Sequence, residues 1–188
     1  ESMKKSVVMF SVLGLVVCSG CFKHREAPYR PVTANSVAEA VAQQATVERV
    51  VLAGQSVASL PRELSAMPKL SVLELRGAQG LSSLAGLAEL KALKELDLAS
   101  TKLAAVPADV FQLAALERLY LADNAIAALP AGIGNLTALA YLNLDQNQLA
   151  ALPAELGALT GLRWLRLNGN RLADLPAELS KLTKLQRI

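Results

Sequence analysis

The chain is short of the side chains that chemistry uses. Its 188 residues hold one histidine and two cysteines. His24 stands in a proline-bearing stretch without a carboxylate, cysteine or second histidine in a useful register, so it reads as a solvated linker residue. Cys18 and Cys21 both fall near the N-terminus, where no disulfide or metal site between them could staple the body of the protein. No cluster has metal-ligand spacing and no glycine-rich loop could cradle a phosphate, so no catalytic residue, metal or cofactor is assigned. Charge is nearly balanced, with Lys+Arg 19 against Asp+Glu 16 and no long basic run. A nucleic-acid partner is therefore poorly supported, because phosphate binding needs a concentrated positive footprint. Aromatic residues make up only 4% of a chain that is 53% hydrophobic, so leucine and alanine must build the core.

Met3-Lys4-Lys5 is a short positive start, and Ser6 to Val17 is uncharged and mostly apolar. As a helix that run extends about 18 Å, short of the ~30 Å hydrocarbon core of a bilayer. It reads as a signal peptide over residues 1–20, with Glu1 and Ser2 left aside as a remnant that precedes Met3. Ser19-Gly20-Cys21 resembles the lipobox of bacterial lipoproteins, although Cys18 stands where leucine is usual. The resemblance implies lipidation at Cys21 and a lipid anchor in the membrane; plain secretion and an uncleaved anchor are the alternatives. Phe22 after that cysteine, in place of aspartate, implies by the same resemblance the outer membrane of a bacterial cell envelope.

Residues 21–34 contain Pro28 and Pro31 without apolar periodicity and are expected to form a tether. Ser36 and Glu39 have capping-box spacing, which predicts a helix over 36–46 that covers the first edge of the domain behind it.

From there the chain is periodic. Val50, Leu73, Leu96, Leu119, Leu142, Leu165 and Ile188 are each 23 residues apart, and Leu52, Leu75, Leu98, Leu121, Leu144 and Leu167 repeat two positions later. The stretch Leu142-Asn143-Leu144-Asp145-Gln146-Asn147-Gln148-Leu149-Ala150-Ala151-Leu152-Pro153-Ala154-Glu155-Leu156 fits L-x-L-x-x-N-x-L-x-x-L-P-x-x-L. This pattern resembles the leucine-rich repeat, in the 23-residue form also found in intracellular Ras-associated repeat proteins. The resemblance implies an α/β solenoid, right-handed, with parallel strands on its concave face and short helices or 3-10 turns on its convex face. The repeat domain is expected over 35–188, with six repeats in 47–185.

Strand alternation sends Leu142 and Leu144 inward and leaves Asn143 on the open face. Asn147 lies at the bend, where its amide can satisfy backbone groups inside the stack. Asn124, Asn147 and Asn170 form this ladder in the last three repeats; Gln55, Ala78 and Thr101 replace them in the first three, so the N-terminal half should be less well held. Repeat two gains a residue near Gly80 and loses one before Leu87, and has no proline, a local switch toward a shorter repeat type.

Two columns face outward along the strands, spaced by about 4.8 Å. The first reads Arg49, Val72, Glu95, Arg118, Tyr141, Trp164; the second reads Val51, Glu74, Asp97, Tyr120, Asn143, Arg166. Tyr, Trp and Arg dominate binding hot spots, so Tyr120, Tyr141 and Trp164, rimmed by Arg118, Arg163 and Arg166, mark a candidate patch. A cross-strand aromatic ladder that only stabilises the sheet is the competing explanation. Glu74, Glu95 and Asp97 are expected to make the N-terminal half of the face acidic and open to water, opposite a basic-aromatic C-terminal half. Protein or peptide binding is the leading function, ahead of glycan binding and of a purely structural envelope role. At the C-terminal edge Leu172, Leu175, Leu179 and Leu182 are expected to stay partly uncovered behind Gln186 to Ile188, which suggests a longer chain or a homodimer through this edge.

Overall fold

A computed structural model describes residues 31–188. The signal-peptide reading, the lipidation of Cys21 and most of the tether lie outside the described residues.

Seven strands form one parallel sheet in chain order: β1 (Thr33–Ala34), β2 (Arg49–Val51), β3 (Val72–Glu74), β4 (Glu95–Asp97), β5 (Arg118–Tyr120), β6 (Tyr141–Asn143) and β7 (Trp164–Arg166). From β2 onward the register follows the repeat, pairing Leu73 with Leu96, Leu119 with Leu142, and Leu142 with Leu165. Because side chains alternate, this register stacks every inward leucine on its counterpart. Leu73, Leu96, Leu119, Leu142 and Leu165 are all fully buried. Leu149, Leu156, Leu159 and Leu162, which return along the opposite wall, are buried as well, and the core runs as one cluster through the stack.

The wall opposite the sheet is made of 3-10 turns. Five of them follow a proline, namely Pro61, Pro107, Pro130, Pro153 and Pro176, each extended with φ between −61° and −75°. The ring fixes φ and its missing N–H loses nothing at a turn start. Repeat two, which has no such proline, forms a three-residue turn (Leu87–Glu89) where the others have five residues, entered through Gly86 at φ +90°. Beside these turns Gly157 allows close contact: a Cβ there would sit 2.7 Å from the Glu178 carbonyl oxygen.

From β2 to β7 the chain leaves each strand through a left-handed residue. Gly54, Gly77, Ser100, Asp123, Gln146 and Gly169 occupy one column and have φ between 55° and 70°. Glycine accepts this conformation freely, whereas Ser100, Asp123 and Gln146 adopt it at a steric cost. Next in the chain comes the asparagine column. Asn147 Nδ2 donates to the carbonyls of Leu121, Leu144 and Asp145, and its Oδ1 accepts from Ile126 N–H at 3.1 Å. Asn124 accepts from the N–H groups of Thr101 and Leu103 and donates to Leu98, Leu121 and Ala122. Asn170 links Leu144, Leu149 and Leu167. Thr101 supplies one bond of this kind, to Leu98, while Ala78 has no side-chain group to offer.

Three expectations are corrected. The tether does not reach Ala34, because Thr33–Ala34 pairs with β2 as strand β1, with Ala34 fully buried opposite Val50. The capping helix α1 spans Val37–Ala42, and residues 43–46 turn away to deliver Val47 into the core. Ser36 caps it as expected, accepting from Glu39 N–H at 3.1 Å, although the Glu39 carboxylate reaches back to Asn35 N–H in place of Ser36. At the other end Gln186 and Arg187 pair with Arg163 and Leu165 as the expected partial covering strand, but Leu182 is buried where it was expected to be uncovered. Leu172 and Leu179 are half-buried, and Leu175 is 49% exposed.

Candidate binding face

The outward positions of β4 to β7 carry the candidate residues, which the parallel register brings side by side. Tyr120 and Tyr141 lie on adjacent strands with ring centroids 5.0 Å apart and planes tilted by 39°. Trp164 follows at 6.1 Å from Tyr141, edge to face at 67°. The three rings form a staircase in which each leans on the next. Trp164 is the outermost step, 41% exposed, while both tyrosines are half-buried.

The charged residues do not divide as the sequence suggests. Each carboxylate of the acidic half is held by an arginine: Glu74 by Arg49, Asp97 by Arg76 at 3.0 Å, and Glu95 by Arg118 at 2.8 Å. Asp97 also accepts from Ala99 N–H and is buried, and the Glu95 side chain keeps only 16% of its exposure. This pair is therefore covered by arginine, not open to water, and the expected acidic field is neutralised. Arg118 serves Glu95 as well as the aromatic rim. Burial works against its charge, but the hydrogen bond and attraction from Glu95 outweigh burial and hold its pKa above the ordinary value. Tyr120 beside it is also held above the ordinary phenol value, first by burial and then by the Glu95 charge.

A third outward column, not read from the sequence, runs Ala53, Arg76, Ala99, Ala122, Asp145, Asn168. Asp145 is buried; one oxygen accepts from Arg166 at 2.6 Å and the other from the backbone and amide of Asn168 at 2.8 and 3.1 Å. Asp145 raises the pKa of Arg166, by hydrogen bond and by charge. Asn143 turns its oxygen onto Asp145 N–H, which braces the bend and spends part of its amide. Arg163 does not rim the patch. It lines a recess with Thr183, Lys184, Leu185 and Gln186, because its position belongs to the lateral column that includes Lys94 and Glu117. Arg187 takes its place, in a pocket of about 470 Å³ with Tyr141, Trp164, Leu165, Arg166, Asn168 and Ile188. The first column, continued by one repeat from Trp164, reaches Arg187.

A separate notch of about 420 Å³ lies on the convex side at the shortened turn of repeat two, between Pro61, Arg62, Gly86 and Glu89. It has no aromatic residue and charges of both signs, so it lacks the features of a hot spot. Among the described residues no group of three or more His, Cys, Asp or Glu could hold a metal ion, and no helix is long and apolar enough to cross a membrane.

A sheet sealed on one side by leucine and open on the other, with polar and aromatic residues in register, defines a protein-binding scaffold of the repeat-solenoid class. The chain belongs to the leucine-rich-repeat family, matching the leucine-rich repeat region over residues 47–188. A leucine-rich-repeat protein of Leptospira interrogans is similar to it, at 34% identity and a TM-score of 0.79, over 83% of this chain and 40% of that one. Also similar is the leucine-rich-repeat ectodomain of a plant membrane receptor kinase from Arabidopsis thaliana, solved in complex with Casparian strip integrity factor 2. That likeness has 29% identity and a TM-score of 0.69, over 84% of this chain and 19% of the ectodomain chain. The chain thus spans less than half the length of either relative. No curated protein matches it.

Proposed function

We propose that the protein is a non-enzymatic binding module of the bacterial cell envelope, anchored by a lipid on Cys21, that holds a protein or peptide partner across its concave face. The observation that carries this reading is the staircase of Tyr120, Tyr141 and Trp164, whose last ring stands exposed beside Arg166 and Arg187. Large aromatics next to arginine supply desolvated anchors at little entropic cost. The complexed plant ectodomain is consistent with partner binding by a similar repeat array. The anchor and the outer-membrane location rest on the lipobox resemblance of Ser19-Gly20-Cys21.

Glycan binding is the second reading, and the ring geometry disfavours it. A sugar stacks on an open aromatic face, whereas the tilted and edge-to-face packing here turns the tyrosine rings onto their neighbours. A further partner reading is a second copy packed against Leu172, Leu175 and Leu179; light scattering that stays monomeric over a concentration series removes it.

The test exposes the full chain to a native envelope extract and, in parallel, to a glycan array. A saturable protein or peptide ligand with an empty array is the expected result. Glycan capture without a protein ligand overturns the reading. Cys21→Ser, followed by mass and membrane fractionation, tests the anchor: release or loss of processing is expected, and an unchanged mass and distribution refute it.

A further inference from the structure

We infer that the cluster of Arg49, Arg76 and Arg118 over β3 and β4, with Tyr120 and Tyr141 beside it, holds an uncharged, proline-bearing peptide segment by its backbone carbonyls. This rests on the proposed peptide-binding reading and specifies the chemistry of the partner.

The register brings the arginine heads together. Glu74 on β3 lies across from Asp97 on β4, and Glu95 precedes Asp97 by two residues on the same face. Neighbouring carboxylate positions are therefore about 5 Å apart between strands and about 7 Å apart along one. Each draws a guanidinium to itself: Arg49 to Glu74, Arg76 to Asp97 and Arg118 to Glu95. The arginines form the upper layer. Side-chain exposure is 49% for Arg76 over 13% for Asp97, and 44% for Arg118 over 16% for Glu95. Arg49 is likewise the more exposed member of its pair. These pairs account for every charged residue in the three outward columns of β2 to β5, which has further strands on both sides. Asp123, exposed at the bend after β5, lies beyond the columns.

The guanidinium groups have donors to spare. Arg76 gives Asp97 its Nε at 3.0 Å, and neither terminal nitrogen has a hydrogen-bond partner among the described residues. Arg118 gives Glu95 its Nε and Nη2, both at 2.8 Å, and keeps Nη1. The carboxylates beneath are occupied, Asp97 also by Ala99 N–H. The cluster thus offers donors outward without net charge. An anion gains little there, because a half-covered carboxylate already compensates each arginine. A partner N–H or O–H turned onto it would meet donor against donor. Sugar hydroxyls and ordinary peptide segments bring donors with their acceptors, whereas proline supplies a backbone carbonyl and no N–H. Proline-rich segments are preformed as an extended helix with free carbonyls, and they dock on aromatic side chains. Such rings are in place. Arg118 pairs in register with Tyr141 and Asp97 with Tyr120, so the donors border the half-buried tyrosine pair.

End-capped decaproline, decaglutamate and maltoheptaose are titrated separately into the full chain by calorimetry, at ~50 and ~500 mM NaCl. Expected is saturable decaproline binding that changes by less than about twofold between the two salts. It should weaken about tenfold in Arg76→Leu with Asp97→Asn, and in Arg118→Leu with Glu95→Gln. Each double variant removes a whole pair and leaves no unmatched charge, and its melting curve confirms the fold. No decaproline binding, tighter binding of decaglutamate, a steep loss at high salt, or full affinity in both double variants would each overturn this inference. The peptide-binding reading would then still stand or fall on the envelope extract. Maltoheptaose binding more tightly than decaproline would overturn both.

Discussion

Asn147→Ala should be among the most damaging single polar substitutions in the repeats, and the loss can be worked from its bonds. The residue is 6% exposed and its amide serves four backbone groups. Three of these keep another partner when the side chain goes: Leu121 C=O still accepts from Asn124, Leu144 C=O from Asn170, and Asp145 C=O from Asp123 N–H. The Ile126 N–H has only Asn147 Oδ1. An orphaned buried donor costs about 1–3 kcal/mol, and each forfeited second bond adds about 0.5 kcal/mol. The expected loss is about 2.5–4.5 kcal/mol, a large part of a typical total of about 5–15 kcal/mol. For a chain of this size that lowers Tm by roughly 5–18 °C. Urea and thermal unfolding followed by circular dichroism measure it. Gln55→Ala is the control in the same column, since Gln55 is exposed and bonds to Asn35 C=O at the cap. Asn147→Asp keeps the acceptor for Ile126 but turns an anion toward three carbonyls, so it should be at least as harmful as alanine. If Asn147→Ala loses under about 1 kcal/mol, no more than Gln55→Ala, the ladder does not hold the stack.

Gly157→Ala should destabilise by about 1–3 kcal/mol, because its Cβ meets the Glu178 carbonyl at 2.7 Å, whereas Gly161→Ala, with its nearest contact at 3.5 Å, should be nearly silent. Equal melting curves for the two would show that the turns can yield. Ser100 is exposed at φ 58°, so Ser100→Gly should stabilise by about 0.5 kcal/mol and Ser100→Val should destabilise by more than that. The reverse order in urea midpoints refutes strain at this column. Tyr120 favours its neutral form in the folded state; the associated stability is complete below pH about 10, the unfolded value, and is lost as pH rises through the raised folded value. Phenolate absorbance should show a late step that Tyr120→Phe removes, and ionisation of every tyrosine at the ordinary value contradicts the burial of this ring.

Much of this architecture was legible because one physical rule repeats. A strand that alternates in and out, met every 23 residues, places the leucines inside and the aromatics of β5 to β7 outside without any knowledge of distances. An amide recurring inside an apolar stack announces a backbone partner, and so the asparagine column could be read. The ion pairs were harder. Arg118 with Glu95 and Lys94 with Glu117 lie straight across the register, 23 residues apart; Arg49 reaches Glu74 at 25, and Arg76 and Arg166 reach Asp97 and Asp145 at 21. Those diagonals depend on side-chain length and on the third column, which the L-x-L pattern does not mark. Strand β1 was hidden for a similar reason, since Val32 and Ala34 stand between Pro31 and the helix with no leucine to signal an inward position. Arg187, by contrast, was within reach of the sequence by extending the first column one repeat beyond Trp164.

The central claim, that the exposed aromatic end of the concave sheet is where a partner is held, meets its most direct test in Trp164→Ala. Affinity for the ligand recovered from the envelope extract and unfolding free energy are measured on the same preparation. Affinity should fall by about 2 kcal/mol or more, near thirtyfold, because the ring acts as an anchor. Stability should fall by no more than about 1.5 kcal/mol, the worth of one edge-to-face contact with Tyr141. Unchanged affinity together with a larger loss of stability would contradict the account, and would make the staircase a brace for the sheet.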